Sequence, residues 1–412
     1  MSRRPVYVLL GAGVAGHFAA DALRQAGFDG QVLLIGAEPV RPYDRPALSK
    51  GILQGTKEPQ AIVFQPEEFY REREIDLLLG RAAVAFDPAA RRVVLDSGES
   101  VSYDRLLITT GANPIRPRLP GIDLPGVHVL RSLADAEALR AGLLQAERVL
   151  VIGAGFIGSE VAASARALGR EVILLDLLPA PMSRVLGPEL AAVYADLHRA
   201  HGVDLRMGRG VAQLRGRDRV EEAVLDDGTR LDCDLVVLGV GVRPAVDLAT
   251  AAGLAVDDGI LVDEHCATSA PGVYAAGDVA TWWHPALGRR IRVEHFDNAG
   301  EQGAAAGRAM AGQPEPYAPV PSFWTDQYDT TLQYYGYPVP WDQVVLRGDA
   351  AAFSVTAFYL AEGRIVAAAM LNRPKEHRSA RRLVAAGAAV DPAVLANPDT
   401  DLRALSRQFA AG

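Results

Sequence analysis

The sequence predicts an α/β protein in which a parallel-sheet unit occurs twice and is followed by a smaller α+β segment. Three observations carry that expectation. An apolar run, Val6 to Leu10, leads straight into Gly11-Ala12-Gly13-Val14-Ala15-Gly16 and a helix-like stretch, His17 to Ala26. A second run, Arg148 to Ile152, leads into Gly153-Ala154-Gly155-Phe156-Ile157-Gly158 and another helix-like stretch, Ser159 to Leu168. Past the prolines that lie between Pro314 and Pro321, the pattern changes to apolar strands and a basic helical segment.

Strand, G-x-G-x-x-G and helix together open a Rossmann-like βαβ unit. Gly11 makes the tight turn, Gly13 lets backbone approach a pyrophosphate, and Gly16 lets helix pack on strand. The N–H groups at the helix start then receive phosphate oxygens. The next strand, Gln31 to Ile35, ends at Gly36-Ala37-Glu38, which puts a carboxylate where ribose hydroxyls would be. A glycine turn alone can be only a tight turn; strand, helix and acid in register make it a dinucleotide site. The loop Arg41-Pro42-Tyr43-Asp44-Arg45-Pro46-Ala47-Leu48-Ser49-Lys50 follows. It reads either as a cationic wall to that site, through Arg45 and Lys50, or as a solvated connector.

A helix is expected over Pro66 to Glu74. Short strands then run Asp76 to Leu79, Ala82 to Phe86, Arg92 to Leu95 and Leu106 to Thr109, with a Ser97-Gly98 turn, and end in Thr109-Thr110-Gly111. Pro114, Pro117, Pro120 and Pro125 mark a domain boundary. The second copy repeats the plan, its strand Glu171 to Leu175 closing on Asp176. Asp96-Ser97-Gly98 through Gly111 is echoed by Asp226-Asp227-Gly228 through Gly241. The expected fold class is therefore α/β, with two Rossmann-like dinucleotide-binding domains plus a C-terminal α+β domain.

After Arg243-Pro244, Ile260 to Asp263 and Val273 to Asp278 are expected to form a short strand pair. Asp278, after Gly277, would face a polyol hydroxyl at a helix start opening at Val279-Ala280; a plain turn is the other reading. Arg292 to Gln302, with Glu294, His295 and Phe296, precedes an Ala/Gly-rich helix and reads equally as a capped core helix. Strands are expected over Ala352 to Leu360 and Arg364 to Met370. The run Arg373 to Arg382 is a solvated helix face or a docking surface.

Composition bounds these readings. A chain of 412 residues is long for one core, so two or three domains are expected. A net charge of -8 with no long basic tract argues against nucleic acid as a partner. No apolar run reaches membrane-spanning length, and Met1-Ser2-Arg3-Arg4 leads into a strand rather than a signal peptide, so the cytoplasm is the expected location. Cys233 and Cys266 are far apart and read as reduced core thiols. The eight histidines form no metal-binding array, and no metal site is expected.

With these motifs in place, the whole chain resembles the NADH-dependent ferredoxin reductases that serve Rieske oxygenases and cytochrome P450s, the putidaredoxin-reductase type. These are glutathione-reductase-like flavoproteins related to apoptosis-inducing factor. The residues carrying the likeness are Gly11 to Gly16, Tyr43 to Pro46 with Leu48-Ser49-Lys50, Thr109-Thr110-Gly111 and Gly153 to Glu160. Arg243-Pro244, Ala276-Gly277-Asp278, Glu294 with Asn298-Ala299 and Gln302, and Phe323-Trp324 with Asp326-Gln327-Tyr328 complete the set.

The resemblance implies FAD held by residues 1–113 and 242–317, NADH held by 114–241, and a C-terminal interface domain over 318–412. FAD would be bound through Gly11, Gly13, Glu38, Arg45, Lys50 and Asp278, and Ala15, Gly16, Thr110, Gly111, Gly241, Gly277, Glu294, His295, Phe296 and Trp324 would also line the cofactor sites. NADH would be bound through Gly153, Gly155, Glu160 and Asp176, with Ile157 and Gly158 also among the cofactor-binding residues. Three residues would act in catalysis: Lys50 beside flavin N5, Glu160 orienting the nicotinamide, and Trp324 covering the flavin. Hydride would pass from NADH to N5, and electrons singly to an acidic [2Fe-2S] ferredoxin feeding an oxygenase. A monomer or weak homodimer is expected.

Three residues depart from the family's pattern. Ala47 stands for a usual proline, Thr109 for an alanine, and Asp176 for a glutamate one methylene longer. The disulfide-reducing cousins need cysteines beside the flavin, where this chain has Pro46-Ala47-Leu48-Ser49-Lys50, so dithiol chemistry is excluded. The alternatives are a rubredoxin or quinone reductase and, in another class, a redox-sensing flavoprotein of the apoptosis-inducing-factor type.

Overall fold

The computed structural model describes residues 3–409, and these fall into two compact units. The first comprises the described residues up to Asp44, then Pro59–Asn113 and Val242–Pro321. Its centre is a five-stranded sheet in the order Val273–Ala275, Arg105–Ile108, Val6–Leu10, Gln31–Gly36, Ile75–Leu79. Every pairing in it is parallel. Parallel strands are covered on both faces, which is why they read as unbroken apolar runs rather than alternating ones. Val8, Leu10, Leu106 and Ile108 point to one face and pack with Trp282, Ile260 and Tyr317. Tyr7, Leu9, Leu34 and Leu107 point to the other, against Ala19 and Leu23 of the helix Val14–Gln25 and Met310 of the helix Phe296–Met310.

These two helices meet at backbone distance. A Cβ on Gly303 would lie 2.2 Å from the Ala15 carbonyl oxygen, and one on Gly307 would lie 2.5 Å from that of Ala19. Small residues in the Ala/Gly-rich segment are thus a packing requirement.

Three local expectations need correction. Both helices after the glycine turns start earlier than their apolar patterns suggest, at Val14 and Phe156, because Gly13 and Gly155 are themselves the extended N-caps. The segments near Ile260 and Val273 do not pair with each other. Gly259–Val262 pairs with Val256–Asp257 and Ala280–His284 in a separate four-stranded sheet, while Val273–Ala275 completes the edge beside Arg105–Ile108. Finally, Asp278 opens no helix. Gly277–Val279 is a single 3-10 turn that runs into the strand Ala280–His284, whose Thr281, Trp282 and Trp283 suit a pleated surface.

The second unit comprises Arg45–Glu58, Pro114–Gly241 and the described residues from Ser322 onward. Its parallel sheet runs Val203–Met207, Glu171–Asp176, Arg148–Ile152, Leu235–Leu238, Val127–His128. Within the same unit lies a five-stranded antiparallel sheet ordered Ser322–Gln327, Thr330–Gly336, Arg364–Leu371, Ser354–Ala361, Gln343–Asp349. Phe323, Leu332, Tyr334 and Tyr359 from this sheet pack on Leu186, Leu190, Tyr194 and Leu197 of the helix Ser183–Ala200. Two parallel α/β sheets and a C-terminal α+β layer are the predicted fold class.

The run Arg373 to Arg382 divides in two. Arg373 and the buried Arg347 share the Glu376 carboxylate, Arg347 at 3.0 Å. Arg378, Arg381 and Arg382 lie exposed on the helix His377–Ala385.

Candidate functional site

The first glycine turn is shaped by contacts no side chain could share. Gly11 has φ +122°, and a Cβ there would sit 2.2 Å from the Thr109 carbonyl oxygen; a Cβ on Gly16 would sit 2.0 Å from that of Gly11. Gly13 differs: nothing lies within 4 Å of its Cβ position. The helix beginning at Val14 has no side-chain cap and no acid in its first turn. Its leading N–H groups therefore face an open cradle, which fits a phosphate group. Glu38 follows the strand Gln31–Gly36, and Tyr43 donates to its Oε2 at 2.8 Å. The Gly277–Asp278 turn is anchored from the helix Phe296–Met310, where the fully buried Gln302 accepts from Gly277 N at 2.8 Å.

The second turn repeats this geometry. Gly153 has φ +100°, a Cβ on Gly158 would lie 1.8 Å from the Gly153 carbonyl oxygen, and Gly155 again faces open space. Ile157, in the first turn of the helix Phe156–Ala167, is exposed. Asp176 ends the adjoining strand with its carboxylate held by backbone, Oδ2 accepting from Ala154 N at 2.6 Å and Oδ1 from Leu178 N at 2.8 Å. One residue here escaped the sequence reading. Arg209 donates its N–H to the Asp176 carbonyl at 3.0 Å, and its guanidinium pairs with Asp227 at 3.4 Å.

The structure joins two predicted catalytic residues. Lys50 lies on a π-helical turn, Leu48–Ile52, a rare geometry that recurs at functional sites. Glu160 lies on the helix Phe156–Ala167 and is 5% exposed. Lys50 Nζ is 2.9 Å from Glu160 Oε2. Ser49 donates to the same oxygen at 2.5 Å, and Thr325 donates to Oε1 at 2.7 Å. One helical turn past Glu160, Ser164 donates to the Ser49 carbonyl at 2.7 Å and accepts from Gln54 at 3.0 Å, which clamps the π-turn to the helix. Sequence reasoning assigned no role to Thr325. The available signal was polarity at alternate buried positions, Thr325 and Gln327, of an otherwise ordinary strand.

The other predicted residues are placed as follows. Arg45 donates to the Arg131 carbonyl. Thr110 donates to the Ala245 carbonyl at 3.0 Å, and Gly111 and Gly241 have φ of +71° and +104°. Glu294 pairs with Arg292, which also reaches Asp258 at 3.1 Å. His295 is the N-cap of the helix Phe296–Met310, and Phe296 meets Phe64 edge to face with ring centres 6.0 Å apart. Trp324 is half-buried on the strand Ser322–Gln327.

Both cysteines are free and fully buried, and burial pushes each thiol up to about 12. Thiols that remain protonated and covered are poor nucleophiles. Among the described residues no cluster of His, Cys, Asp or Glu could hold a metal ion, and no helix is long and apolar enough to cross a membrane.

Two open glycine turns, each with an acid at the end of the following strand, define an oxidoreductase that handles two dinucleotides. The chain belongs to the pyridine nucleotide-disulphide oxidoreductase family, which residues 5–303 match, and residues 322–406 match the reductase C-terminal family. It is 41% identical over 97% of its length to the 5,5'-dehydrodivanillate O-demethylase ferredoxin reductase subunit of Sphingobium sp. (strain NBRC 103272 / SYK-6), covering 98% of that protein. It is similar to the ferredoxin reductase for the CYP199A2 system from Rhodopseudomonas palustris, with a TM-score of 0.95, 38% identity and coverage of 98% and 100% of the two chains. It is also similar to the reductase in the covalent putidaredoxin reductase–putidaredoxin complex, with a TM-score of 0.95, 33% identity and full coverage of both chains.

Proposed function

We propose that this chain is an FAD-dependent NADH:ferredoxin oxidoreductase. The observation that carries the reading is the pair of open, acid-ended glycine turns in one chain whose only two thiols are fully buried and whose Pro46–Lys50 segment has no cysteine. We assign FAD to residues 1–113 and 242–317, NADH to 114–241, and the interface role to 318–412. When bound, the flavin supplies two-electron acceptance and one-electron release. The chain supplies binding, orientation and charge. The N–H groups beyond Gly13 and Gly155 receive phosphate oxygens, and Glu38, Asp278 and Asp176 accept from hydroxyl groups. Lys50 contributes fixed positive charge, and Glu160, anchored by Lys50, Ser49 and Thr325, orients the nicotinamide. Arg45 is a further FAD contact on this reading, and Thr110, Gly111, Gly241, Glu294, His295, Phe296 and Trp324 are the remaining cofactor-binding residues.

The electron acceptor on this reading is an acidic [2Fe-2S] ferredoxin that feeds an oxygenase, and the enzyme works in the cytoplasm as a monomer or weak homodimer. The basic docking candidates are Arg289, Arg290 and Arg292 and the run Arg373 to Arg382; among them we favour the exposed Arg378, Arg381 and Arg382, since Arg292 and Arg373 are committed to carboxylates and Arg290 donates to the Val262 carbonyl at 2.6 Å. The test is anaerobic NADH-driven reduction of a purified oxygenase-system ferredoxin by the yellow holoprotein, with acid release identifying FAD. Rapid bleaching of the ferredoxin is expected. Ferricyanide reduction without reduction of any ferredoxin would overturn the assignment.

NADH should be preferred over NADPH by roughly tenfold or more in kcat/KM, about 1.4 kcal/mol. The cause is repulsion of a 2′-phosphate by Asp176, with the nearby Arg209 engaged by Asp227. Asp176→Ala should narrow the ratio, and Asp227→Ala, which releases Arg209, should narrow it further. Equal kcat/KM values in the parent enzyme would refute the preference.

A further inference from the structure

Glu160 accepts in its ion pair with Lys50, and that fixes the direction of every hydrogen bond behind it. A carboxylate only accepts, so the Thr325 proton must point at Oε1 across the 2.7 Å contact. The Thr325 oxygen then accepts from Gln327, whose Nε2 lies 3.2 Å away and also 3.6 Å from Met182 Sδ. Both amide protons of Gln327 are thereby used, and its Oε1 faces away as an acceptor.

Behind it lies His198, fully buried, with its ring held neutral because burial and His201 lower its pKa to about 4. Gln327 acts on this ring as a hydrogen-bonding side chain. His198 Nε2 and Gln327 Oε1 are both buried, and neither has a hydrogen-bond partner. A donor at Nε2 satisfies both atoms. The neutral ring then has an acceptor at Nδ1, and there the Tyr328 hydroxyl lies 2.8 Å away and must donate. Tyr328 is itself fixed, stacked on His201 with ring centres 3.7 Å apart and 10° between planes, at φ +57°.

We propose that Tyr328, His198, Gln327 and Thr325 form a one-directional hydrogen-bond relay that fixes the Glu160 carboxylate in the geometry that orients the nicotinamide. Each donor polarises the next, so the chain acts as a unit. Thr325 is a positioning residue, acting through Glu160, and the inference rests on the role proposed above for that carboxylate. The alternation of the strand Ser322–Gln327 places Phe323, Thr325 and Gln327 on its buried side, which explains why two polar residues occupy core positions there.

Two measurements test the relay. Nitrogen-15 NMR of the His198 ring in the holoprotein should show the proton on Nε2; a proton on Nδ1 would reverse the chain and overturn the proposal. Stopped-flow reduction by NADH should be about tenfold slower in Thr325→Val, with NADH Kd within about twofold, and should recover in Thr325→Ser. Should Thr325→Val not fold, Gln327→Leu serves instead, with a rate about threefold lower. Unchanged rates in these variants, while Glu160→Gln is slow, would sink the relay alone. An unchanged rate in Glu160→Gln would sink the role of Glu160 itself.

Discussion

Lys50→Met should slow flavin reduction by NADH about a hundredfold, the usual scale for removing one preorganised charge from a reaction centre. The expectation begins with burial. Lys50 and Glu160 have only 19% and 5% of their side chains exposed, so little water screens their 2.9 Å contact. A buried ion pair contributes little net stability, because desolvation offsets attraction, yet removing one member costs about 3–5 kcal/mol. Either single replacement should therefore lower Tm as well as rate. The two effects separate in the double variant Lys50→Met/Glu160→Met, which leaves no unpaired charge. Its Tm should recover most of the loss, while its rate should stay at or below that of the single variants. Recovery of the rate along with Tm would show that the pair only supports the fold.

Both glycine turns and the strands around them could be read from sequence because their causes are local. Gly11 takes a positive φ and Gly16 must clear the Gly11 carbonyl, reasons only a few residues long even though Thr109 also crowds Gly11, and a parallel strand covered on both faces announces itself as an apolar run. The start of each helix was misplaced because the apolar rhythm begins after the N-cap glycine. The strand Val273–Ala275 was assigned the wrong neighbour because three apolar residues do not encode which edge they complete; Arg105–Ile108, far away in sequence, decides that. Thr325 and Arg209 had no assigned role for the same reason. Each gains its meaning from a partner brought up by the fold, Glu160 for Thr325 and Asp227 for Arg209. Lys50 and Glu160 were each legible, but only the structure joins them.

Gly303→Val should abolish FAD retention and lower stability by more than about 3 kcal/mol, beyond the usual range for inserting bulk into a packed core. The reason is the closeness of the helices Val14–Gln25 and Phe296–Met310. At Gly303 even a Cβ would meet the Ala15 carbonyl oxygen at 2.2 Å and the Ala15 Cα at 2.8 Å. These atoms are backbone and cannot turn aside like a flexible side chain, so the helices must separate. Ala15 belongs to the glycine turn itself, between Gly13 and Gly16, and moving it displaces the N–H groups that receive phosphate. The same shift pulls on Gln302, next to Gly303, whose side chain anchors Gly277 and hence Asp278. Gly312→Ala is the control. It lies beyond the same helix at φ +90° with open space around its Cβ position, so it carries backbone strain without helix separation. Gly312→Ala should cost about 1 kcal/mol and keep its flavin. Expression of Gly303→Val as a yellow protein with parental Tm would show that the two helices do not set the turn.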